Sequence, residues 1–139
     1  DFQTFSETKL FLDPGFSVID AVIVKRGEKD YVLVLKDNTR PERNLKVAFA
    51  DNPMGPWRNI STPFSDKFTE GPSVVKLKNE WLIYFDSYQK KIYEVVSTTD
   101  FKDFKNVTTQ IRVPEGHKHG TILPVKRKFV RLLVKKTAH

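Results

Sequence analysis

The run Tyr31-Val32-Leu33-Val34-Leu35 recurs 50 residues later as Trp81-Leu82-Ile83-Tyr84-Phe85. Both runs are apolar at successive positions, so as β-strands they would carry apolar side chains on both faces. Strands of this kind have to be covered on both sides. The two runs therefore predict buried strands at equivalent places in a repeated unit.

The repeat continues on both sides of these runs. An apolar stretch comes before each run across a short turn, at residues 21–24 and 74–77. Third strands are expected at residues 45–50 and 92–98, and fourth strands at 57–60 and 104–107. Three or four short strands in about 50 residues, joined by tight turns, predict an all-β meander. No segment shows a convincing helical period.

A period of about 50 residues is typical of repeat architectures, among them propellers. A β-propeller packs each four-stranded sheet between two neighbours, as these strands require, whereas a sandwich would show cleaner alternation. We therefore predict an all-β fold of consecutive four-stranded propeller blades. Residues 1–12 would be the outer strand of a preceding blade, 20–62 one blade, 70–112 the next, and 119–136 two strands of another, with the second at 129–134.

The number of blades is too small for a ring. A closed propeller has about four to eight blades, and four at this period would need about 200 residues, against the 139 of this chain. We expect either a fragment of a longer chain or a second copy that completes the ring. Self-association would cover the open apolar faces, which monomers rarely leave in water.

The composition of the chain excludes several kinds of site and partner. The chain has no cysteine, which excludes disulfides and thiolate zinc sites. Its net charge is +7, but the basic residues are scattered, and the densest cluster, Lys126-Arg127-Lys128, lies at a predicted turn. We therefore expect no nucleic-acid partner. No stretch approaches the roughly 20 apolar residues that span a bilayer, so no membrane partner is expected.

Polar residues recur within the repeat. An aspartate followed by a short turn and an aromatic residue stands at Asp1, Asp51 and Asp100, and 19 residues after each come Asp20, Glu70 and His119. The first strand of a propeller blade lines the central channel, so three equivalent positions at the starts of first strands should meet at one mouth of that channel. Two carboxylates and an imidazole in a small pocket suit glycoside hydrolysis.

The chemistry assigns a role to each residue. Glu70 would be the general acid, its pKa raised by burial and by a second carboxylate. Asp20 would tune and orient it, and His119 would contact the sugar or hold a water or cation in the channel. Three loop aromatics at the mouth are candidates for sugar contact, namely Phe16, Phe68 and Tyr88.

No cofactor is expected beyond a calcium ion considered for the channel. No metal site is predicted either, since His117 and His119 lack an identified third ligand.

Three segments that contain these residues resemble the signature segments of glycoside hydrolase family 43. They are Ser17-Val18-Ile19-Asp20-Ala21, Thr69-Glu70-Gly71-Pro72-Ser73 and His119-Gly120-Thr121. The resemblance covers nearly the whole chain and about half of a family domain. It implies a five-bladed propeller and an inverting enzyme acting on arabinose-, xylose- or galactose-containing glycans. By the same resemblance, Asp20 matches the pKa-modulating aspartate and Glu70 the general acid.

One element of the family pattern has no match. The family's general base is an aspartate of the first blade, and Asp13, which superficially resembles it, lies in a linker between strands. We therefore expect this chain alone to be inactive, since loss of a general base costs on the order of 10²–10⁴-fold in rate. Action on polysaccharides implies a secreted or periplasmic location, although no signal peptide is visible.

Other interpretations remain open at this stage. Asp20 can be a turn cap, Glu70 an exposed loop acid and His119 a structural histidine. The domain can then be a propeller that binds glycans without cleaving them, or one that binds proteins.

Overall fold

The computed structural model describes residues 3–136, and the side chains of residues 3–134. Asp1, which opens the first copy of the repeat, lies outside this range. Within it the chain forms seven strands, a single 3-10 turn at Thr108–Gln110 and one α-helix. The elements are β1 (Val18–Gly27), β2 (Asp30–Asp37), β3 (Asn44–Ala50), β4 (Thr69–Leu77), β5 (Glu80–Ser87), β6 (Ile92–Thr98), β7 (Lys105–Asn106) and α1 (Arg127–Lys136).

The strands form two antiparallel meanders, in the orders β1-β2-β3 and β4-β5-β6-β7. We call them sheet A and sheet B. The all-β prediction is confirmed, and strands β2, β3, β5, β6 and β7 fall within two residues of predicted positions. Neither sheet closes on itself, so the propeller arrangement stays a prediction.

The repeated apolar runs form the central strands and are buried on both faces, as predicted. In β2, Val32 and Val34 face sheet B while Leu33 and Leu35 face the other way. Alternation in β5 gives the same division, with Ile83 and Phe85 directed towards sheet A. The two sheets therefore share one apolar core between them, and each also packs a second cluster on its outer face.

Strands β1 and β4 lie at the edges of their sheets, as expected for strands that line a channel. Each contains a bulge near its start, where two residues oppose one on the neighbouring strand. Pro72 lies in the bulge of β4, where an edge strand tolerates the missing amide proton. Both bulges fall beside the predicted polar positions, and bulges commonly redirect side chains in this way.

The predicted equivalence of Asp20 and Glu70 is wrong by one residue. Ile19 pairs with Lys36 and Glu70 pairs with Asp86, so Ile19 and Glu70 are equivalent. Asp20 is therefore equivalent to Gly71. An irregularity between Lys25 and Gly27 adds one residue to β1 near its hairpin, and a fixed 50-residue count cannot detect this.

The N-terminal segment and the outer edge of sheet A are less regular than predicted. No strand is assigned in residues 3–17, because Phe11, Leu12 and Phe16 pack over the outer face of sheet A rather than along an edge. The predicted strand at 57–60 makes a single bridge between Phe49 and Arg58. After that bridge, the hydroxyls of Ser65 and Ser61 accept the amide protons of Leu45 and Val47 in β3. The carbonyls of the same two residues accept backbone amides of the segment, so the pairing is mixed and irregular.

The C-terminal part differs most from the prediction. Residues 121–123 form no strand, and the amide of Ile122 donates to the Ser73 hydroxyl instead. Without a neighbouring strand, residues 127–136 satisfy their backbone groups within helix α1. The predicted strand at 129–134 and the expectation of no helix are therefore wrong. Neither helical element of the described residues is long and apolar enough to cross a bilayer.

The shared core between the sheets should carry much of the stability. Leu45→Ala removes a fully buried side chain from this core and should lower the free energy of unfolding by about 2–5 kcal/mol. Leu77→Ala, at a half-exposed position of β4, is the matched control and should change it by no more than about 0.5 kcal/mol. Urea denaturation measures both. Equal losses would show that the sheets do not share this core.

Candidate functional site

The site lies where the edge strands of the two sheets meet. Asp20 occupies the bulge of β1 in the left-handed backbone region, with φ of 52°. This turn directs its carboxylate across to sheet B, where Oδ2 accepts the Gly71 amide at 3.1 Å. The hydrogen bond joins the two bulges directly, so the start of β1 and the start of β4 form one surface.

Glu70 lies next to that bond and uses both carboxylate oxygens. Oε2 accepts a hydrogen bond from Lys36 Nζ at 2.6 Å, and Oε1 accepts one from His119 Nε2 at 3.1 Å. Its side chain keeps 28% of its surface exposed. Glu70 therefore links a cation of sheet A to the imidazole of the C-terminal segment.

Lys36 is almost completely buried, with 2% of its surface exposed. It lies near the end of β2, and its ammonium is 5.3 Å from the centre of the Tyr88 ring as well as close to Glu70. A buried ammonium requires such partners, because an unpaired charge inside a protein is costly. Sequence analysis did not identify Lys36.

His119 is held in place although its backbone belongs to no strand. Its neighbour Gly120 exchanges two hydrogen bonds with the Tyr93 hydroxyl, and Ile122 bonds to Ser73. The imidazole then lies over Gly71. A Cβ added to Gly71 would be 2.7 Å from His119 Nδ1, and φ at this position is +59°. Gly71 thus provides both the turn and the space for the ring.

Asp86 is the second residue that sequence analysis missed. It is 2% exposed, pairs with Glu70 in the ladder of sheet B, and places Oδ2 4.0 Å from His119 Nε2. Asp86 and Lys36 stand 50 residues apart, each one position after an apolar run. A charged residue at the same end of two buried strands is the signal that could have found them.

Three of these side chains can hold a metal ion. Ligand atoms of Glu70, Asp86 and His119 all lie within 4.8 Å of one another. Two carboxylates and an imidazole are suitable donors for a divalent cation. The Lys36 ammonium on Glu70 opposes a further positive charge there. His117, considered with His119 as a possible metal ligand, packs its ring edge-on against the Tyr93 ring, at 5.1 Å between ring centres.

The pKa of Glu70 is shifted in the direction opposite to the predicted one. Burial raises the pKa of its carboxyl, but hydrogen bonds from Lys36 and His119 together lower that pKa by more than burial raises it. The pKa therefore lies below the ordinary 4.5. A general acid requires the opposite shift. At neutral pH Glu70 is therefore an ionised carboxylate.

A cavity of about 260 Å³ opens beside these residues, lined by Asp20, Gly71, Pro72 and His119 among others. Its volume is just below the range of about 300–1,000 Å³ typical of pockets for drug-sized ligands. The cavity therefore suits a small polar ligand. Asp20 and His119 face it directly, whereas Glu70 lies behind His119.

The aromatic candidates divide into two groups. Phe68 and Tyr88 contact each other edge to face at 6.1 Å and lie beside Lys36, next to the site. Phe16 packs over the outer face of sheet A, with Lys46 Nζ 4.4 Å from its ring centre. None of the three aromatics lines the cavity of Asp20 and His119. The structure thus brings together Asp20, Glu70 and His119. Tyr88 lies next to them through Lys36, with Phe68 against it, whereas Phe16 lies elsewhere.

Comparison with known proteins identifies a family for this chain. Residues 1–130 match a family related to glycoside hydrolase family 43 and described as a "probable glycosyl hydrolase domain". The chain belongs to this family. The match confirms the resemblance found in the sequence, and it includes every residue of the site in this glycosyl hydrolase-related domain. No curated protein matches the chain.

The position of His119 should depend on Gly71. Gly71→Ala would place a methyl carbon 2.7 Å from Nδ1 of the His119 ring, too close for the ring to stay, so the imidazole should leave Glu70 and its NMR resonances should move. Gly15→Ala is the matched control: Gly15 also has a positive φ, of +79°, but has nothing within 4 Å of an added Cβ. It carries the backbone strain without the clash and should leave the His119 resonances in place. Equal shifts in both variants would contradict the packing described.

Acid should weaken the domain partly through Glu70. Because its pKa is lowered in the folded chain, the unfolded chain binds this proton more readily. The stabilisation is fully present above about pH 4.5 and is lost as pH falls through the folded pKa. The stability difference between the wild type and Glu70→Gln should therefore shrink as urea denaturation is carried from pH 7 to about pH 3. A pH-independent difference would contradict the Lys36–Glu70 ion pair.

Proposed function

We propose that this domain binds arabinose-, xylose- or galactose-containing glycans at the cavity between β1 and β4. We propose further that it is a part of an inverting glycoside hydrolase. The observation that supports this is that Asp20 and His119 line one cavity, with Asp20 bonded to the Gly71 amide and His119 bonded to the neighbouring Glu70 carboxylate. Membership of a glycosyl hydrolase-related family supports the same reaction class.

In this proposal Glu70 is the general acid. Its proton passes to the glycosidic oxygen as the bond from that oxygen to the anomeric carbon breaks. A water molecule adds to that carbon from the opposite face and gives its proton to a second carboxylate. Asp20 orients the Gly71 turn beside Glu70, and His119 faces the sugar. Tyr88 packs against Lys36 and Phe68 packs against Tyr88, and both rings are further candidates for sugar contact.

None of the positions that resemble the family signature supplies the second carboxylate, the general base. Asp13, the one superficial match, lies in the N-terminal segment, where its carboxylate accepts the Gly15 amide. We therefore expect these 139 residues to bind sugar with little or no turnover. The base would come from another part of a complete enzyme.

The proposed architecture is a part of a five-bladed propeller. Edge positions for β1 and β4 and a shared apolar core support sheets A and B as neighbouring blades. Carbohydrate would be the main partner, with a secreted or periplasmic location and no nucleic-acid partner. Self-association would extend the stack of sheets, and calcium is the ion we would test in the channel.

A glycan-binding domain without catalysis is the second candidate, and the lowered pKa of Glu70 favours it. An ionised Glu70 and the Asp20 carboxylate would accept hydrogen bonds from sugar hydroxyls. The two candidates use the same residues and differ in turnover alone.

Calorimetric titration with arabino-, xylo- and galacto-oligosaccharides tests the site. The wild type should bind at least one of them, and Asp20→Asn should weaken binding about tenfold, the loss expected for one charged hydrogen bond. Asp13→Asn makes the same chemical change on an exposed carboxylate away from the cavity and should leave affinity unchanged. Lack of binding to all three classes, or equal losses in both variants, would overturn the proposal.

Assays on aryl glycosides separate the two candidates. Turnover that Glu70→Gln abolishes, with the product of inverted anomeric configuration, would establish catalysis. Binding without turnover would favour the glycan-binding candidate for this chain. Gln is preferred to Ala at position 70, because it keeps an oxygen beside the buried Lys36 ammonium.

A further inference from the structure

Helix α1 is set apart from the core and from the sugar site. Among the strands and helices of the described residues, none packs against it. Phe129 keeps 50% of its surface exposed, and Val130 keeps 44%. A helix that packs on a protein core normally buries its apolar side. No other element of the described chain therefore covers the apolar side of α1.

The residues of α1 divide into an apolar face and a basic face. At about 100° per residue, positions 129, 130, 133 and 134 share one side of the helix, and all four are Phe, Leu or Val. We call these four residues the apolar face. Positions 127, 128 and 131 lie on the other side and are exposed Arg or Lys residues, which we call the basic face. Leu132 is an exception, because it lies on the basic side.

The sequence around α1 adds only positive charge. Residues 116–136 contain seven Lys or Arg residues and no Asp or Glu. The whole chain has a net charge of +7, so this segment is as positive as the entire chain. Basic residues elsewhere are balanced by acidic ones. An anionic partner is therefore attracted to this segment more than to the rest of the chain.

We propose that α1 attaches this domain to an anionic lipid surface. The helix would lie in the plane of the headgroups, with its apolar face at the acyl-chain boundary and its basic face near the lipid phosphates. An isolated helix of ten residues is marginal in water, so insertion would also stabilise it. The proposal uses no residue of the sugar site and does not depend on glycan binding.

Two other occupants fit these observations less well. A second copy of α1 would bring two basic segments together, and their like charges would repel. A nucleic acid would attract the basic face through its phosphates but would leave the apolar face in water. An anionic lipid surface satisfies both faces at once.

The length of α1 allows it to lie on a bilayer but not to cross one. Ten residues rise about 15 Å, which is half of the roughly 30 Å hydrocarbon core. The expectation of no membrane partner was based on the length of apolar stretches, and that criterion does not apply to a helix at the surface.

Co-sedimentation of the full chain with lipid vesicles tests the proposal. The chain should bind vesicles that contain phosphatidylglycerol and phosphatidylcholine in equal amounts, and should bind pure phosphatidylcholine vesicles about tenfold more weakly. Binding should weaken as the salt concentration is raised, because salt screens the attraction. Equal binding to both kinds of vesicle, or binding to neither, would overturn the proposal.

Two adjacent leucines provide a matched pair of variants for the apolar face. Leu133→Ser removes a large side chain from this face and should weaken vesicle binding about tenfold. Leu132→Ser makes the same change on the basic side and should have a much smaller effect. The two side chains are 64% and 56% exposed, so both variants should keep the wild-type midpoint in urea. Equal losses of binding, or no loss in either variant, would contradict insertion of the apolar face.

Two exposed arginines provide the matched pair for charge. Arg131→Gln should weaken binding about fivefold, the loss expected for one cation near an anionic surface. Arg112→Gln makes the same change outside α1 and should leave binding unchanged. Analytical ultracentrifugation without lipid tests the competing occupant. A dimer that Leu133→Ser dissociates, together with no vesicle binding, would show that a second copy covers α1 and would rule out the lipid surface.

Discussion

The need to cover both faces of strands β2 and β5 governs this structure. Each strand buries apolar side chains on two sides, so each sheet needs a cover on both faces, and the two sheets cover each other on one of them. Stacking brings edge strands β1 and β4 together. Because both edges carry a bulge near their start, the bulges meet, and the Asp20 carboxylate reaches the Gly71 amide. The site is a direct result of how the core is buried.

Charge distribution within the site follows from the same stacking. The central strands continue past their apolar runs into charged residues, and the fold buries Lys36 and Asp86 at that end. Glu70 comes from the edge strand next to them and forms the link between the ammonium and the His119 imidazole. The network lowers the pKa of Glu70, so the same residues that hold it in place also oppose its role as an acid.

The repeated runs allowed the fold class, the edge position of β1 and β4 and the grouping of Asp20, Glu70 and His119 to be predicted. The extra residue of β1 near its hairpin could not be seen in the spacing, so Asp20 was aligned with Glu70 and not with Gly71. The helix at Arg127–Lys136 was missed, because its apolar residues also fit a strand, and only the absence of a pairing partner distinguishes the two. Phe16 was misplaced for a similar reason: an aromatic in a loop can line a cavity or cover a sheet.

The sequence by itself determined that the two repeated apolar runs are buried central strands, and which residues bring acid and imidazole groups to the chain. These are local properties of composition and period. Only the tertiary structure decided that Lys36 and Asp86 join the site and that Glu70 is ionised. Both depend on contacts between residues of different sheets, such as Lys36 with Glu70, and on how far each charge is removed from water.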